Sequence, residues 1–169
     1  MNKIKDKLVD FYSWVKGAEL VELERIDIKE DPIRPHLSLK FRTSNGRQIF
    51  GLQAKDKIQG IVCVAWCSSM PKSESGLRKM STDKRPKTHA IAYTVWSRKR
   101  GAGRKIISVL RKYIQKDKPD IKKMFTLSPL TPMATHFHIK NGARLVSINA
   151  DTQNFQYKLK AENGEKRKD

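Results

Sequence analysis

The 169-residue sequence contains little cysteine, few acidic residues and no long apolar run. The two cysteines, Cys63 and Cys67, lie in one strand-like segment without partners for a zinc site, which favours a reducing, cytoplasmic setting. No apolar stretch approaches the roughly 20 residues that a membrane span requires. Residues 1–7 lack the apolar core of a secretory signal. The sequence therefore predicts a cytoplasmic protein with no metal and no membrane contact.

Positive charge is the strongest feature of the composition. Lys and Arg number 36 against 17 Asp and Glu, which gives a formal net charge of +19. Residues 61–125 hold 17 of these basic residues and 4 of the acidic ones, so this segment alone carries +13. Hydrophobic residues make up 38% of the chain, enough for a core at this length. The charge is compatible with a pocket for a polyanion and with nonspecific nucleic-acid contact, and composition does not separate the two.

Apolar spacing and turn residues predict a mixed α/β order in a single domain over residues 1–160, followed by a disordered charged tail at 161–169. The predicted helices cover residues 2–16, the segment from Arg104 to Pro119, and a segment from Thr131 to Asn141-Gly142. The predicted strands are residues 20–28, 36–42, 47–53, 58–67, 90–96, 124–127, 144–148 and 155–159.

Two connections between these elements are also predicted. Ser44-Asn45-Gly46 is a strong turn signal, so residues 36–42 and 47–53 should form a hairpin. Residues 68–88 are rich in Ser, Lys, Pro and Gly without periodicity, which indicates a long, mobile, basic loop.

A glycine-containing turn joins the predicted strand over 90–96 to the next helix. Residues 98–103 read Arg-Lys-Arg-Gly-Ala-Gly, and Arg104 follows them. Two glycines let the backbone approach a ligand closely, and the free N–H groups of a helix start favour a pyrophosphate. The turn lacks the Gly-Lys-Ser/Thr of a Walker loop and the third glycine of a dinucleotide-binding loop. A phosphate-binding loop and a simple tight turn are both compatible with these residues.

The pattern Arg98-x-x-Gly101-x-Gly103, placed between a strand and a helix, resembles the pyrophosphate loop of the GNAT superfamily of acyltransferases. The resemblance covers most of residues 20–160 and implies a GNAT-like, acyl-CoA-binding fold with a mostly antiparallel central sheet flanked by helices. It implies that Tyr93, Thr94 and Val95 bind the pantetheine through their backbone. The CoA-binding loop that it implies consists of Arg98, Arg100, Gly101, Ala102, Gly103 and Arg104.

Two further segments resemble the catalytic domain of malonyl-CoA decarboxylases, which has a GNAT fold. Residues 125–132 read Phe-Thr-Leu-Ser-Pro-Leu-Thr-Pro, and residues 137–143 read Phe-His-Ile-Lys-Asn-Gly-Ala. The proposed catalytic serine and histidine of that family fall on Ser128 and His138. The resemblance implies a CoA thioester as substrate and the decarboxylation of malonyl-CoA to acetyl-CoA. Nine residues separate Ser128 from His138, whereas the family has a long insertion there.

A serine and a histidine suit this chemistry. Loss of carbon dioxide from a malonyl thioester leaves an enolate, whose oxygen needs hydrogen-bond donors and whose α-carbon needs a proton. A histidine that titrates near neutrality supplies such a proton, and a serine hydroxyl holds the carboxylate or relays the proton. The structural alternatives are a strand-to-turn residue at Ser128 and a polar helix position at His138.

Two other functions are open at this point. An amine N-acetyltransferase, acting from acetyl-CoA, needs a base, and the four acidic residues of 61–125 lie in predicted loops or at a helix end. His89 is then the best remaining base. A basic nucleic-acid-binding protein on a GNAT scaffold would instead use the cations of residues 68–88 and 98–104. Residues 68–88 also suit weak contact with nucleic acid or with an acidic protein.

Overall fold

The structure is a computed structural model that describes residues 15–159. The tail at 161–169 and nearly all of the predicted helix over 2–16 lie outside the described residues. The strands are β1 (Glu19–Leu23), β2 (Arg47–Ala54), β3 (Lys57–Cys67), β4 (His89–Ser97), β5 (Lys123–Thr126), β6 (Ser128–Pro129), β7 (Arg144–Ile148) and β8 (Thr152–Tyr157). The helices are α1 (Leu39–Thr43), α2 (Glu74–Thr82), α3 (Ala102–Asp117) and α4 (Pro132–Lys140).

All eight strands belong to one mixed sheet, and most of its pairings are antiparallel, as the GNAT resemblance implies. Strands β1 to β4 form an antiparallel meander, and β4 then pairs in parallel with β5. Strand β8 lies antiparallel to β5 and β6 on one side and to β7 on the other. The parallel pairing of β4 with β5 covers only four residue pairs, from His89 opposite Lys123 to Ala92 opposite Thr126. The rest of β4 therefore diverges from the strand that follows it.

Helices cover both faces of the sheet. Helix α3 buries Ile106, Leu110 and Ile114 completely on one face, at the four-residue spacing that places side chains on one side of a helix. Full burial of each such side chain stabilises the fold by about 1.5–3 kcal/mol. On the other face, Phe41 of α1 and Leu77 of α2 pack against the apolar side chains of the central strands. The candidate site lies beside the part of β4 that follows Ala92, where β4 no longer pairs with β5.

The signals predicted for α4 are confirmed. Thr131 is its N-cap and accepts a hydrogen bond from the Ala134 N–H at 3.2 Å, and Pro132 occupies the first turn. Asn141 is the C-cap, and Gly142 follows with φ +92°, a backbone conformation that favours glycine. This short helix positions His138, which is the buried residue of α4.

The predicted hairpin between residues 36–42 and 47–53 is wrong. Residues 39–43 form helix α1, because the Ser38 hydroxyl caps it by accepting from the Phe41 N–H at 3.0 Å. Strand β2 pairs with β1 and β3 instead. Gly46, with φ +80°, is still a turn residue, but the turn connects α1 to β2.

The predicted mobile loop over residues 68–88 is also wrong, because residues 74–82 form helix α2. The Ser73 hydroxyl caps this helix by accepting from the Gly76 N–H at 3.0 Å. A single fully buried side chain, Leu77, anchors the helix to the sheet, so no repeated apolar spacing marks it in the sequence. Asp83, just after α2, pairs with Arg85 at 2.8 Å and Lys87 at 2.7 Å, which neutralises part of the positive charge of this segment.

A buried ion pair ties the segment between β1 and α1 to the sheet. Arg42 Nη1 lies 2.7 Å from Asp31 Oδ2, and both side chains are fully buried. Asp31 Oδ1 accepts from the N–H groups of Ile33 and Arg34 and from the Thr94 hydroxyl, each at 2.9 Å. Burial alone raises the pKa of Asp31, but these hydrogen bonds and the one from Arg42 together hold it below its usual value. Asp31 is therefore an ionised anchor for residues 31–34 and for β4.

Replacing Arg42 by Met should destabilise the protein strongly. The substitution leaves the buried Asp31 carboxylate without its cation, and breaking a buried pair in this way costs about 3–5 kcal/mol. Urea denaturation followed by circular dichroism measures the free energy of unfolding. Arg85→Met is the matched control, because Arg85 pairs with Asp83 at the surface and its loss should leave that free energy nearly unchanged. Equal stabilities of the two variants would contradict this role of the pair.

Candidate active site

Strand β4 bulges at Tyr93, next to the point where it separates from β5. Ala92 lies opposite Val64 and Thr94 opposite Cys63, so Tyr93 has no partner on β3. On the other edge, the Leu127 N–H still donates to the Ala92 carbonyl at 3.2 Å. Beyond that bond no pairing joins β4 to the following segment in residues 15–159. The bulge thus leaves an open backbone edge beside a gap in the sheet.

The gap between β4 and β6 is a cavity of about 660 Å³. It brings together six of the predicted site residues, namely Tyr93, Thr94, Val95, Gly103, Ser128 and His138. Pro32 and Ile33, held by Asp31, form part of another wall. Within the described part of the chain, the residues that line the cavity include no Asp, Glu, Lys or Arg. The cavity is thus uncharged in a protein whose net charge is +19.

The glycine-containing turn leads into α3 and reaches the cavity through Gly103. Gly101 precedes the helix as its N-cap, with φ +85°. The Ala102 N–H donates to the Lys99 carbonyl at 3.0 Å, and the Lys105 N–H donates to the Gly101 carbonyl at 3.1 Å. The N–H groups of Gly103 and Arg104 have no backbone acceptor among the described residues. The turn therefore presents donors, at the positive end of a helix dipole, to an anion.

The predicted loop residues differ in how they are placed. Gly103 lines the cavity, whereas Arg98, Arg100, Gly101, Ala102 and Arg104 lie outside its lining. The Arg98 side chain pairs with Glu30 at 2.9 Å, and its N–H donates to the Gln59 carbonyl at 2.7 Å. These contacts make Arg98 an anchor of the turn, which the sequence pattern does not reveal.

Gly103 lies in a tightly packed position. A Cβ atom there would lie 2.9 Å from Ser97 Oγ and 3.1 Å from a ring atom of Phe137. The Phe137 ring in turn packs edge-on against His138, with ring centroids 5.0 Å apart. The missing side chain thus lets α3 start close to both β4 and α4.

Ser128 is buried where β6 begins. Its hydroxyl lies 2.7 Å from the Thr126 hydroxyl. The oxygen of Thr126 accepts a hydrogen bond from the Phe155 N–H at 3.1 Å. Ser128 lines the cavity, whereas Thr126 is completely buried behind it. One face of the serine hydroxyl is thus held by the protein, and the residue borders the space that a ligand would enter.

His138 occupies an aromatic cage. Its ring stacks on Phe155 with centroids 5.1 Å apart, and Nδ1 lies 2.7 Å from the Tyr157 hydroxyl. Burial lowers the pKa of His138 to about 4, so the imidazole is neutral at pH 7. The expectation that this histidine titrates near neutrality is wrong, because the cage removes the water that would stabilise the charged form.

The hydrogen bond from Tyr157 decides which nitrogen of His138 carries the proton. Burial raises the pKa of Tyr157, so its hydroxyl keeps its proton and needs an acceptor. The Asn141 side chain also hydrogen-bonds to this hydroxyl and lowers its pKa, as a donor to the phenolic oxygen does. Nδ1 of His138, 2.7 Å away, then accepts the hydroxyl proton, which places the ring proton on Nε2. Among the described residues Nε2 makes no hydrogen bond, and His138 lines the cavity. We therefore assign His138 as a neutral hydrogen-bond donor.

His89, the base considered for an acetyltransferase, lies away from this site. It begins β4, at the opposite end of the strand from the bulge, and does not line the cavity. Its ring stacks on Phe125 with centroids 5.6 Å apart, and burial, together with the nearby Lys123, lowers its pKa. His89 is therefore a structural residue at the edge of the core.

Thr126 and Tyr157 are the site residues that sequence reasoning missed. Thr126 belongs to a segment that drew attention only for its serine. Tyr157 shares one strand face with Phe155, which is the ordinary pattern of core residues. The signal that marks both residues is a hydroxyl at a position predicted to be buried. A buried hydroxyl needs a hydrogen-bond partner, and that partner can be a site residue.

No group of three or more His, Cys, Asp or Glu side chains within residues 15–159 is arranged to hold a metal ion. In the same range, no helix has the length and apolar character needed to cross a membrane.

Replacing Gly103 by Ala should weaken CoA binding about tenfold, a shift of about 1.4 kcal/mol. The added methyl group meets Phe137 and moves the turn whose N–H groups are predicted to hold the pyrophosphate. Isothermal titration calorimetry with CoA measures the affinity. Gly76→Ala is the matched control, because Gly76 lies in α2, distant from the cavity lining. Unchanged affinity in Gly103→Ala would argue against this turn as the binding loop.

The pKa of His138 predicts a loss of stability in weak acid. The folded pKa of about 4 lies below the ordinary value of 6.5, so the unfolded chain takes up the proton first. Stability should therefore fall as the pH drops from about 6.5 to about 4, by about 2 kcal/mol between pH 7 and pH 5. His138→Gln cannot take up this proton and should lose about 2 kcal/mol less in urea denaturation over that interval. Identical pH dependence in the two proteins would exclude a buried, neutral His138.

Comparison with known proteins gives a fold match without a sequence match. No protein-family model matches the chain, and no curated protein sequence does. Among solved structures, malonyl-CoA decarboxylase from Agrobacterium vitis matches at 17% identity with a TM-score of 0.74, over 92% of this chain and 64% of that chain. Malonyl-CoA decarboxylase from Cupriavidus metallidurans matches at 22% identity with a TM-score of 0.55, over 80% of this chain and 37% of that chain.

An acetyltransferase structure matches as well. The N-acetyltransferase PseH from Campylobacter jejuni, in complex with acetyl coenzyme A, matches at 9% identity with a TM-score of 0.56, over 85% of this chain and 99% of that chain. The chain thus spans somewhat less than two thirds of one decarboxylase and a smaller part of the other. Its fold is GNAT-like, and it is similar to both decarboxylases and N-acetyltransferases.

Proposed function

We propose that this chain binds a CoA thioester in the cavity between β4 and β6 and decarboxylates malonyl-CoA to acetyl-CoA. One observation carries the proposal: Ser128 and His138 line the same cavity as the bulge of β4 and Gly103. A reacting acyl group, its carrier and two polar side chains can therefore meet in one place. The fold similarity to two malonyl-CoA decarboxylases supports the same reaction class.

The carrier would bind along elements that are already in position. The pyrophosphate would accept from the N–H groups of Gly103 and Arg104 at the start of α3, with the Arg100 and Arg104 side chains nearby in sequence. The pantetheine would lie along residues 93–95 of β4, whose outer edge has no strand partner in the described chain. This path directs the thioester into the cavity.

The two donors suit the charge that develops during decarboxylation. As the bond between the carboxylate carbon and the α-carbon breaks, its electron pair enters the thioester and forms an enolate, and carbon dioxide leaves. The neutral Nε2–H of His138 and the Ser128 hydroxyl would stabilise the enolate oxygen without any change of protonation. The α-carbon then takes up one proton, drawn from solvent through Ser128, which completes acetyl-CoA.

The uncharged lining favours this reaction over simple binding of malonyl-CoA. No cation lines the cavity in residues 15–159, so a substrate carboxylate there is desolvated without an ion-pair partner. That charge moves into the thioester oxygen, next to the donors, as carbon dioxide forms. The cavity therefore favours the transition state over the ground state.

An amine N-acetyltransferase is the alternative, supported by the fold similarity to PseH. That reaction requires a base that removes a proton from an ammonium group. No Asp or Glu lines the cavity within residues 15–159, and a histidine with a pKa of about 4 is a weak base at pH 7. These two facts weigh against an amine acceptor.

The activity can be tested directly with the purified protein. We expect incubation with malonyl-CoA to give acetyl-CoA and carbon dioxide, measured by mass spectrometry against a sample without protein. A parallel incubation with acetyl-CoA and a set of amines tests the alternative. Unchanged malonyl-CoA together with an acetylated amine would overturn the proposal in favour of acyl transfer.

Variants at the two polar residues assign their roles. Ser128→Ala and His138→Gln should each lower kcat about 100-fold, because each removes a donor from the developing oxyanion. The dissociation constant for CoA should stay within about threefold, since the donors act on the acyl group. His136→Gln is the matched control, because His136 is exposed on the same helix and lies outside the cavity lining. Wild-type kcat in His138→Gln would remove His138 from the reaction.

A further inference from the structure

We infer that Thr126 is a positioning residue that makes Ser128 a hydrogen-bond donor to the acyl group. The inference rests on the proposed function, because it takes the cavity to be the acyl site. Thr126 does not line the cavity, so it would act only through Ser128.

Thr126 lies at a break in the pairing between β8 and its neighbours. β8 pairs with β5 as far as Phe125 opposite Gln156, and with β6 from Ser128 opposite Gln153. Between these pairs the Phe155 N–H donates to the Thr126 hydroxyl oxygen at 3.1 Å instead of to a strand carbonyl. The Thr126 hydroxyl thus fills a gap in the backbone ladder and is held in place by it.

Hydrogen-bond accounting sets the direction of the Thr126–Ser128 contact. The Thr126 oxygen accepts from Phe155, and its own proton needs an acceptor because the side chain is completely buried. Among the described residues the Ser128 oxygen, 2.7 Å away, is the one acceptor that Thr126 has. If Ser128 donated instead, the Thr126 proton would be buried without a partner, which costs free energy. Thr126 is therefore the donor.

This direction leaves the proton of Ser128 for the cavity. The Ser128 oxygen accepts from Thr126, so its O–H points toward an acceptor on the cavity side, where the residue borders open space. A chain of three donors, from Phe155 N–H through Thr126 to Ser128, polarises each bond in the same sense. Ser128 then offers a proton to an acyl oxygen, and with no base beside it the side chain is not a nucleophile.

The same arrangement recurs at His138. There the buried Tyr157 hydroxyl donates to Nδ1 and leaves Nε2–H for the cavity. Ser128 and His138 are thus each backed by a buried hydroxyl that donates to it. The two hydroxyls together make the site a pair of donors for an oxyanion.

Thr126→Val and Thr126→Ser separate the hydroxyl from the shape of the side chain. The probe is the amide analogue of malonyl-CoA, in which N–H replaces the sulfur and which resists decarboxylation, with CoA itself as the reference ligand. We expect Thr126→Val to weaken the analogue about tenfold while the CoA affinity stays within about twofold. Thr126→Ser should restore the wild-type affinity for both ligands. Retained CoA binding shows that each variant is folded.

A double-mutant cycle tests whether Thr126 acts through Ser128. In the Ser128→Ala background, Thr126→Val should not weaken the analogue further, because the group that Thr126 directs is gone. An equal loss in both backgrounds would overturn the inference and assign Thr126 a structural role. Wild-type affinity for the analogue in Thr126→Val would overturn it as well.

This measurement does not depend on turnover. Wild-type protein that binds the analogue but leaves malonyl-CoA unchanged would overturn the proposed decarboxylation alone. Loss of kcat in Thr126→Val, with recovery in Thr126→Ser, would extend the inference to the reaction itself.

Discussion

The buried Asp31–Arg42 pair is the interaction on which the geometry of the site depends. One oxygen of Asp31 holds Arg42, and the other gathers the N–H groups that shape the turn at Pro32 and Ile33 together with the hydroxyl of Thr94. One wall of the cavity and the strand with the bulge are therefore fixed by the same carboxylate. Arg34 adds a second link, since its guanidinium donates to the Tyr93 carbonyl and to Glu74. The bulge is thus held at two neighbouring residues, Tyr93 and Thr94, by the segment 31–34.

The charge of the protein and the polarity of its cavity act at different distances. The basic residues concentrated in 61–125 raise the local concentration of an anionic ligand before any contact forms. Inside the cavity the lining holds hydroxyls, an imidazole and apolar groups, and their hydrogen-bond donors act only at short range. Long-range attraction and local hydrogen bonding thus come from different side chains, even where these lie in the same segment of the chain. The excess charge is therefore compatible with an uncharged cavity.

The sequence predicted the central strands, α3 and α4 because their apolar spacing or capping residues are local signals. It failed for α1 and α2, since α1 is one short turn and α2 has a single fully buried side chain, Leu77. The meeting of Ser128 and His138 in one cavity was anticipated from a family resemblance, not from spacing. The low pKa of His138 and the contact between Thr126 and Phe155 come from elements far apart in sequence. No local pattern encodes such contacts.

The short pairing between β4 and β5, called the seam below, is the point at which ligand binding would change the stability of the whole sheet. Four residue pairs hold the half made of β1 to β4 against the half made of β5 to β8. A ligand that hydrogen-bonds to the open edge of β4 would occupy the place of a missing strand and extend that seam. Occupancy and folding free energy are then coupled, so the protein would be most rigid while it is loaded. The gap proposed to admit a substrate would thus leave the empty sheet less stable than the occupied one.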